Sequence, residues 1–206
     1  MVVDDKNWNP LSVDDLAAIF RRLSIPWWIS GGWALDLFLG RETREHQDTD
    51  VLILRRDHLV VQEYLEKDWQ LFKTKQPGLA PWPHGEFLET PVNCFWVRRH
   101  DTTWAFEVML METEGDYWVY RRLPSVRGKI AQMGFVTDSG IPYLSPEIQL
   151  LYKSGPNRRK DSEDLKLVLP RLPSEKVQWL LDGLRMQYLS GHDWIGYIER
   201  FLAAGQ

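Results

Sequence analysis

Residues 27–54 read WWISGGWALDLFLGRETREHQDTDVLIL, and few architectures accept that order of parts. A short apolar run, Trp27–Ser30, predicts a buried strand. It meets Gly31-Gly32, which predicts a tight turn where backbone can come close to a ligand. Trp33 to Leu39 reads as a short helix closed by Gly40 as its C-cap. Residues 41–47 are polar and loop-like. Asp50 to Leu54 is the next strand, with Asp48 and Asp50 at its start.

That order implies a chemistry. A glycine turn between a strand and a helix leaves backbone N–H groups unpaired at a helix N-terminus, an anion site suited to phosphate. Side chains alternate along a strand, so Asp48 and Asp50 share a face. Two carboxylates that close repel, and both stay ionised only at a cost unless a cation lies between them. Hard oxygen ligands of this kind suit Mg²⁺, which binds through one or two carboxylates plus substrate phosphates. Arg41, Arg44 and His46 lie in the intervening loop and could neutralise a triphosphate. An isolated Asp-x-Asp is more often a turn residue beside a surface ion pair, so the whole order carries the inference and the triplet does not.

The flanking sequence predicts a mixed α/β layout. Ser12 reads as an N-cap, with Asp15 completing a variant capping box and Leu16, Ile19, Phe20 and Leu23 at helical spacing before Pro26. Asp57 reads as the cap of a helix bearing Leu59, Val61, Tyr64 and Leu65. QPGLAPWPHG (76–85) reads as a loop. Strands follow at 92–99, 103–112 and 117–122, then a shorter pair at 134–136 and 142–144. After Pro146 the pattern becomes helical, with helices at 147–154, 161–169, 174–190 and 193–203 and Ser174 as a candidate cap. The expected organisation is a mixed α/β domain over 1–145 and a helical C-terminal region over 146–206.

Composition bounds the alternatives. A chain of 206 residues with 44% hydrophobic and 26% charged residues can bury a real core. The net charge of −4 argues against duplex binding, which usually shows a basic stripe. One cysteine, Cys94, excludes an internal disulfide and a cysteine-rich zinc site; it reads as a bland buried thiol. The 11 tryptophans serve the core for the most part, and some could line a ligand cleft. The opening MVVDDKNWNP lacks an apolar stretch, and no run approaches transmembrane length, so a soluble cytoplasmic chain is expected.

The segment Gly31-Gly32-Trp33-Ala34-Leu35-Asp36, followed by Gly40-Arg41-Glu42-Thr43-Arg44-Glu45-His46-Gln47-Asp48-Thr49-Asp50, resembles the DNA polymerase β-like nucleotidyltransferase superfamily. It is especially similar to the antibiotic-modifying members, the aminoglycoside and lincosamide nucleotidyltransferases, with aminoglycoside 2''-adenylyltransferases among them. The resemblance implies a mixed sheet flanked by helices. It also implies a third carboxylate from a later central strand. TTWAFEVMLME (102–112) supplies Glu107 amid apolar neighbours, where a lone acid is expensive to bury unless it ligates something. Many relatives carry Asp there, so Glu107 is one methylene longer. Glu112 has the opposite strand parity, and a solvated role suits it better. In PEIQLLYKSGPNRRKDSEDL (146–165), Lys153 and the run Arg159-Lys160-Asp161-Asp164 echo a second family element, in which Lys153 contacts phosphate or nucleotide. A solvated charged helix surface is the competing reading of that run.

The resemblance implies an enzyme that moves a nucleoside monophosphate, AMP from ATP or its counterpart from another triphosphate, onto a hydroxyl of a small antibiotic. Asp48, Asp50 and Glu107 would hold two Mg²⁺ ions, and pyrophosphate would leave. Gly31, Gly32, Arg41, Arg44, His46 and Lys153 would attend the nucleotide. Glu86, Glu89, Glu112 and Glu114 could steer a polycationic acceptor, though each reads equally well as plain surface. Transfer to a protein or RNA acceptor, and a non-catalytic nucleotide- or partner-binding module of the same fold, are the alternatives. No membrane partner is implied, nucleic acid is disfavoured by the charge, and oligomeric state is open.

Overall fold

The computed structural model describes residues 5–156 and 158–204. The stretch Met1–Asp4, part of the argument against a leader, lies outside the described residues. In chain order the elements are α1 (Val13–Phe20), β1 (Trp27–Ser30), α2 (Gly31–Leu39), β2 (Asp50–Leu54), α3 (His58–Leu65), β3 (Gln70–Thr74), β4 (Leu79–Pro81), β5 (Cys94–Arg98), β6 (Trp104–Glu114), β7 (Tyr117–Val119), β8 (Arg127–Lys129), β9 (Gly134–Val136), β10 (Pro142–Leu144), α4 (Pro146–Ser154), α5 (Arg159–Val168), α6 (Ser174–Gln187) and α7 (Asp193–Ala204).

The strands form one mixed sheet in the order β4-β3-β5-β6-β2-β1-β10-β9, with β7 branching from β6 and β8 from β7. β2 runs parallel to β6 and β1 parallel to β10; the other pairs are antiparallel. Register sorts the two faces. Ile29, Val51, Val108 and Phe95 are partners across β1, β2, β6 and β5, and all four are fully buried. One residue along each strand, the facing row is Ser30, Asp50, Glu107, Trp96 and Phe72. Period-2 alternation therefore puts an apolar row on one side of the centre of the sheet and a largely polar row on the other. α2 packs on both α4 and α5, and Tyr120 on Leu151 and Trp118 on Trp179 tie the C-terminal helices to the sheet as well.

Several local expectations hold. Ser12 caps α1, its hydroxyl accepting from the Asp15 N–H at 3.1 Å, and Gly40 closes α2 in the left-handed conformation. Others need correction. α2 begins at Gly31, so the glycines form its first turn and not a separate turn before it. Asp48 precedes β2, and only Asp50 lies in the strand. Asp57 makes no side-chain cap, because a 3₁₀ turn at Arg55–Asp57 leads into α3. Pro173, not Ser174, stands at the N-cap of α6, which ends at Gln187. β4 falls within the stretch read as a loop, and β3 and β8 carried too little apolar periodicity to be seen. The third strand of the 92–122 region is shorter than expected, Tyr117–Val119.

Candidate active site

Asp50 and Glu107 are Cα partners on adjacent parallel strands. Burial pushes the Asp50 carboxyl well above the ordinary range, and the charges of Glu107 and then Asp48 push it further; Lys153 and Lys160 pull it back. Burial likewise raises Glu107, with Asp48 adding to it, while hydrogen bonds from Cys94 and Trp96 oppose the rise. All three sequence-predicted acids therefore act on one another. Among the described residues, no three His, Cys, Asp or Glu side chains are gathered into a finished metal cage.

The glycines are required by close approach. A Cβ on Gly31 would lie 2.0 Å from Asp50 Oδ2, and Gly31 has φ +68°, a conformation costly for any other residue. A Cβ on Gly32 would lie 2.3 Å from His46 Cε1 and 2.7 Å from an Arg44 guanidinium nitrogen. The Gly31 N–H donates to Gln149 Oε1 at 2.9 Å, so one of the donors expected to be unpaired has a protein partner. Beside it, the buried Ser30 hydroxyl has no hydrogen-bond partner among the described residues. Ser30, Gly31, Asp50 and Gln149 line a small cavity of about 80 Å³, with Met109 and Tyr152 on its apolar side.

Two basic residues of the loop meet, Arg44 Nη1 lying 3.2 Å from His46 Nδ1, and each is tied to a carboxylate. His46 pairs through Nε2 with Asp36 at 2.6 Å, and Asp36 also accepts from the Thr43 hydroxyl at 2.5 Å. The His46 ring packs on Trp33, centroid to centroid 4.4 Å. This buried staple explains why the motif spaces Asp36, Thr43 and His46 as it does. Arg44 reaches Asp164 of α5 at 3.2 Å, and Asp164 also binds Lys153 at 2.9 Å. Lys153 lies 3.4 Å from Asp161, which Arg158 holds at 2.8 Å. Lys153 is thus buried in carboxylates, with a field that still reaches Asp50. Arg41 stands apart. It lines a cavity of about 550 Å³ that runs along α2 from Trp33 and Asp36 to Gly40, with Asp138 and Tyr143 on its other wall.

Sequence reading missed three participants. Trp96 is the cross-strand partner of Glu107, and Cys94 hydrogen-bonds it, with its own thiol pushed up chiefly by burial. Gln149 was hidden in a helix read for its lysine. Glu112 is not merely solvated: it accepts from Arg55 Nε at 2.8 Å and from Nη2 at 2.6 Å. Arg55 also donates to the carbonyls of Leu88 and Val92, at 2.7 and 2.8 Å. Register could have revealed Trp96, had the pairing of β5 with β6 been known.

Comparison with known proteins bears on the family and the fold. A lincosamide resistance protein from Staphylococcus haemolyticus is 22% identical over 138 residues, 66% of this chain and 79% of that protein. A 2''-aminoglycoside nucleotidyltransferase from Escherichia coli is 56% identical over 36 residues, a stretch that spans 18% of this chain and 20% of that protein. Two crystal structures share the fold. Lincosamide antibiotic adenylyltransferase LnuA, lincomycin-bound, has a TM-score of 0.55 at 19% identity, covering 78% of this chain and 98% of that one. ANT(2")-Ia in complex with adenylyl-2"-tobramycin has a TM-score of 0.56 at 18% identity, covering 85% and 96%. The model of the aminoglycoside-2''-adenylyltransferase family matches residues 12–168, and the chain, a nucleotidyltransferase, belongs to that family.

Proposed function

We propose that the protein transfers AMP from ATP to a hydroxyl of an aminoglycoside-like acceptor and releases pyrophosphate. The observation that carries this reading is the Asp50–Glu107 pair beside the glycine-opened helix α2. The residues fit a divalent cation. Asp50 and Glu107 are held protonation-prone by burial and mutual repulsion, which a cation would relieve. The orphaned Ser30 hydroxyl next to them lacks the partner a bound group would provide.

Asp48, Asp50 and Glu107 would hold the metal, Mg²⁺ in one or two ions. Bound there, it neutralises phosphate charge and favours in-line displacement at phosphorus. The chain's own residues do the rest. First-turn N–H groups at Gly32 and Trp33 have no intrahelical acceptor by position and suit a phosphate oxygen. Arg44 and Lys153 add positive potential from their carboxylate network. Glu107, whose basicity burial raises, would take the proton from the attacking hydroxyl at a carboxylate oxygen.

The test is pyrophosphate release from each of the four nucleoside triphosphates with tobramycin or lincomycin, with and without Mg²⁺. Mass spectrometry should show an acceptor heavier by one nucleoside monophosphate. No product with any pairing, or full activity in Asp50→Asn, would defeat the reading.

A further inference from the structure

Asp48 also lines a larger cleft of about 520 Å³, which shares no lining residue with the small cavity beside Asp50. Trp8 and Trp96 wall it, and Asp5, Glu45 and Asp48 stand on it against Lys6. We propose that Trp8 and Trp96 are the platform for an amino-sugar ring of the acceptor, with Asp5 and Glu45 facing its ammonium groups. This rests on the transfer reading and adds a specific subsite to it.

The two rings meet edge to face, centroids 4.9 Å apart and planes at 65°. Both are only partly buried, in a chain that buries Trp27, Trp28, Trp82, Trp104, Trp118 and Trp194. Trp8 is held firmly. Its segment runs strand-like along the start of β6, with Asn9 N–H donating to Trp104 O at 3.0 Å, Trp104 N–H to Asn7 O at 2.8 Å and Leu11 N–H to Ala105 O at 2.9 Å. The Trp8 indole N–H donates to Asp5 O at 3.0 Å, so its polar atom is satisfied within the chain and the ring is left for contact.

Trp96 links the platform to the chemistry, because it is the cross-strand neighbour of Glu107. A ring resting on it would carry its hydroxyls beside the carboxylate that accepts the proton. The match to the family model begins at residue 12, so Asp5 and Trp8 form a wall outside the matched region.

The chemistry selects the ligand class. Sugar C–H faces pack on aromatic rings, and ammonium groups are drawn both to ring faces and to carboxylates. Three carboxylates outnumber Lys6 on this cleft, with His46 also on its wall, which disfavours a triphosphate here; along the register row the cleft lies on the Trp96 side of Glu107, and Ser30 and Gly31 lie on the other side of Asp50. Acceptor and phosphates are thereby assigned to opposite sides of the acid pair.

The experiment is titration calorimetry of the full chain with tobramycin and, separately, with ATP and Mg²⁺. Trp8→Ala should weaken tobramycin binding about tenfold while ATP affinity stays within about twofold. Trp8→Phe should restore most of the loss, which separates a lost platform from a misfolded segment. Asp5→Asn combined with Glu45→Gln should weaken tobramycin severalfold and flatten its salt dependence. Unchanged tobramycin affinity in Trp8→Ala, equal losses for tobramycin and ATP, or no tobramycin binding by the unaltered chain would each overturn the platform. If Trp8→Ala binds tobramycin normally while the unaltered chain adenylylates it, the platform falls and the transfer reading stands. Trp8-dependent binding without pyrophosphate release has the reverse meaning.

Discussion

Asp50 and Glu107 are direct partners across the β2–β6 ladder, and burial is the first cause of the raised pKa of both. An acid whose pKa is raised on folding adds stability below its unfolded pKa and loses it as pH rises through the folded value. The metal-free protein should therefore lose stability as pH climbs from the ordinary carboxylate range toward neutrality. Mg²⁺ should restore it. Thermal melts across pH 4 to 8, with and without Mg²⁺, test both signs; a metal-free melting temperature flat over that range would contradict the linkage.

Glu107→Gln keeps shape and removes charge. Turnover should fall by about two orders of magnitude or more, the loss typical of a missing general base. The melting temperature of the metal-free protein should stay equal or rise, because repulsion with Asp50 and Asp48 is relieved. A large fall in melting temperature would show that Glu107 is structural.

Trp96→Phe removes an indole donor from Glu107 and retains an aromatic wall. The Glu107 carboxyl should then rise further, and the acid-side limb of the pH–rate profile, where Glu107 must be ionised to act, should move to higher pH. The fall in kcat should exceed any rise in acceptor KM. An unmoved pH profile would remove Trp96 from the positioning of Glu107.

Glu112→Gln separates stability from chemistry. Arg55 is buried and takes both carboxylate oxygens of Glu112. Breaking a buried pair from one side costs about 3–5 kcal/mol, and the partial exposure of Glu112 reduces that to about 1–3. The melting temperature should drop while turnover at a permissive temperature changes little. Dead enzyme at an unaltered melting temperature would instead assign the active face to the other strand parity.

The fold class, the strand bearing Asp50 and the placing of Glu107 in a central apolar strand were legible because period-2 alternation and a lone acid in an apolar run are local signals. What was not legible depends on long-range partners. Gly31 and Gly32 look like a turn in sequence, yet their reason is the approach of Asp50, His46 and Arg44 from later in the chain. Gln149 bonds Gly31 across 118 residues, and Arg44 finds Asp164 across 120. Trp96 becomes a neighbour of Glu107 only once β5 is placed beside β6.

Lys153 is the residue where the phosphate reading and the geometry diverge most. Its ammonium is buried against Asp164 and Asp161, and it lowers the Asp50 pKa from that position. Lys153→Met would leave Asp164 to Arg44 and Asp161 to Arg158, so two carboxylates lose a buried partner at once. A destabilisation of about 3 kcal/mol should follow, and Asp50 should become harder to ionise. Lys153→Arg keeps the charge and should restore part of the stability. ATP affinity measured at equal folded fraction decides the role. If Lys153 touches phosphate, Lys153→Arg stays weak for ATP after its stability is recovered, because a guanidinium places its donors differently from a point ammonium. If it acts only as the buried tie between Arg44's loop and α5, ATP affinity recovers together with the melting temperature.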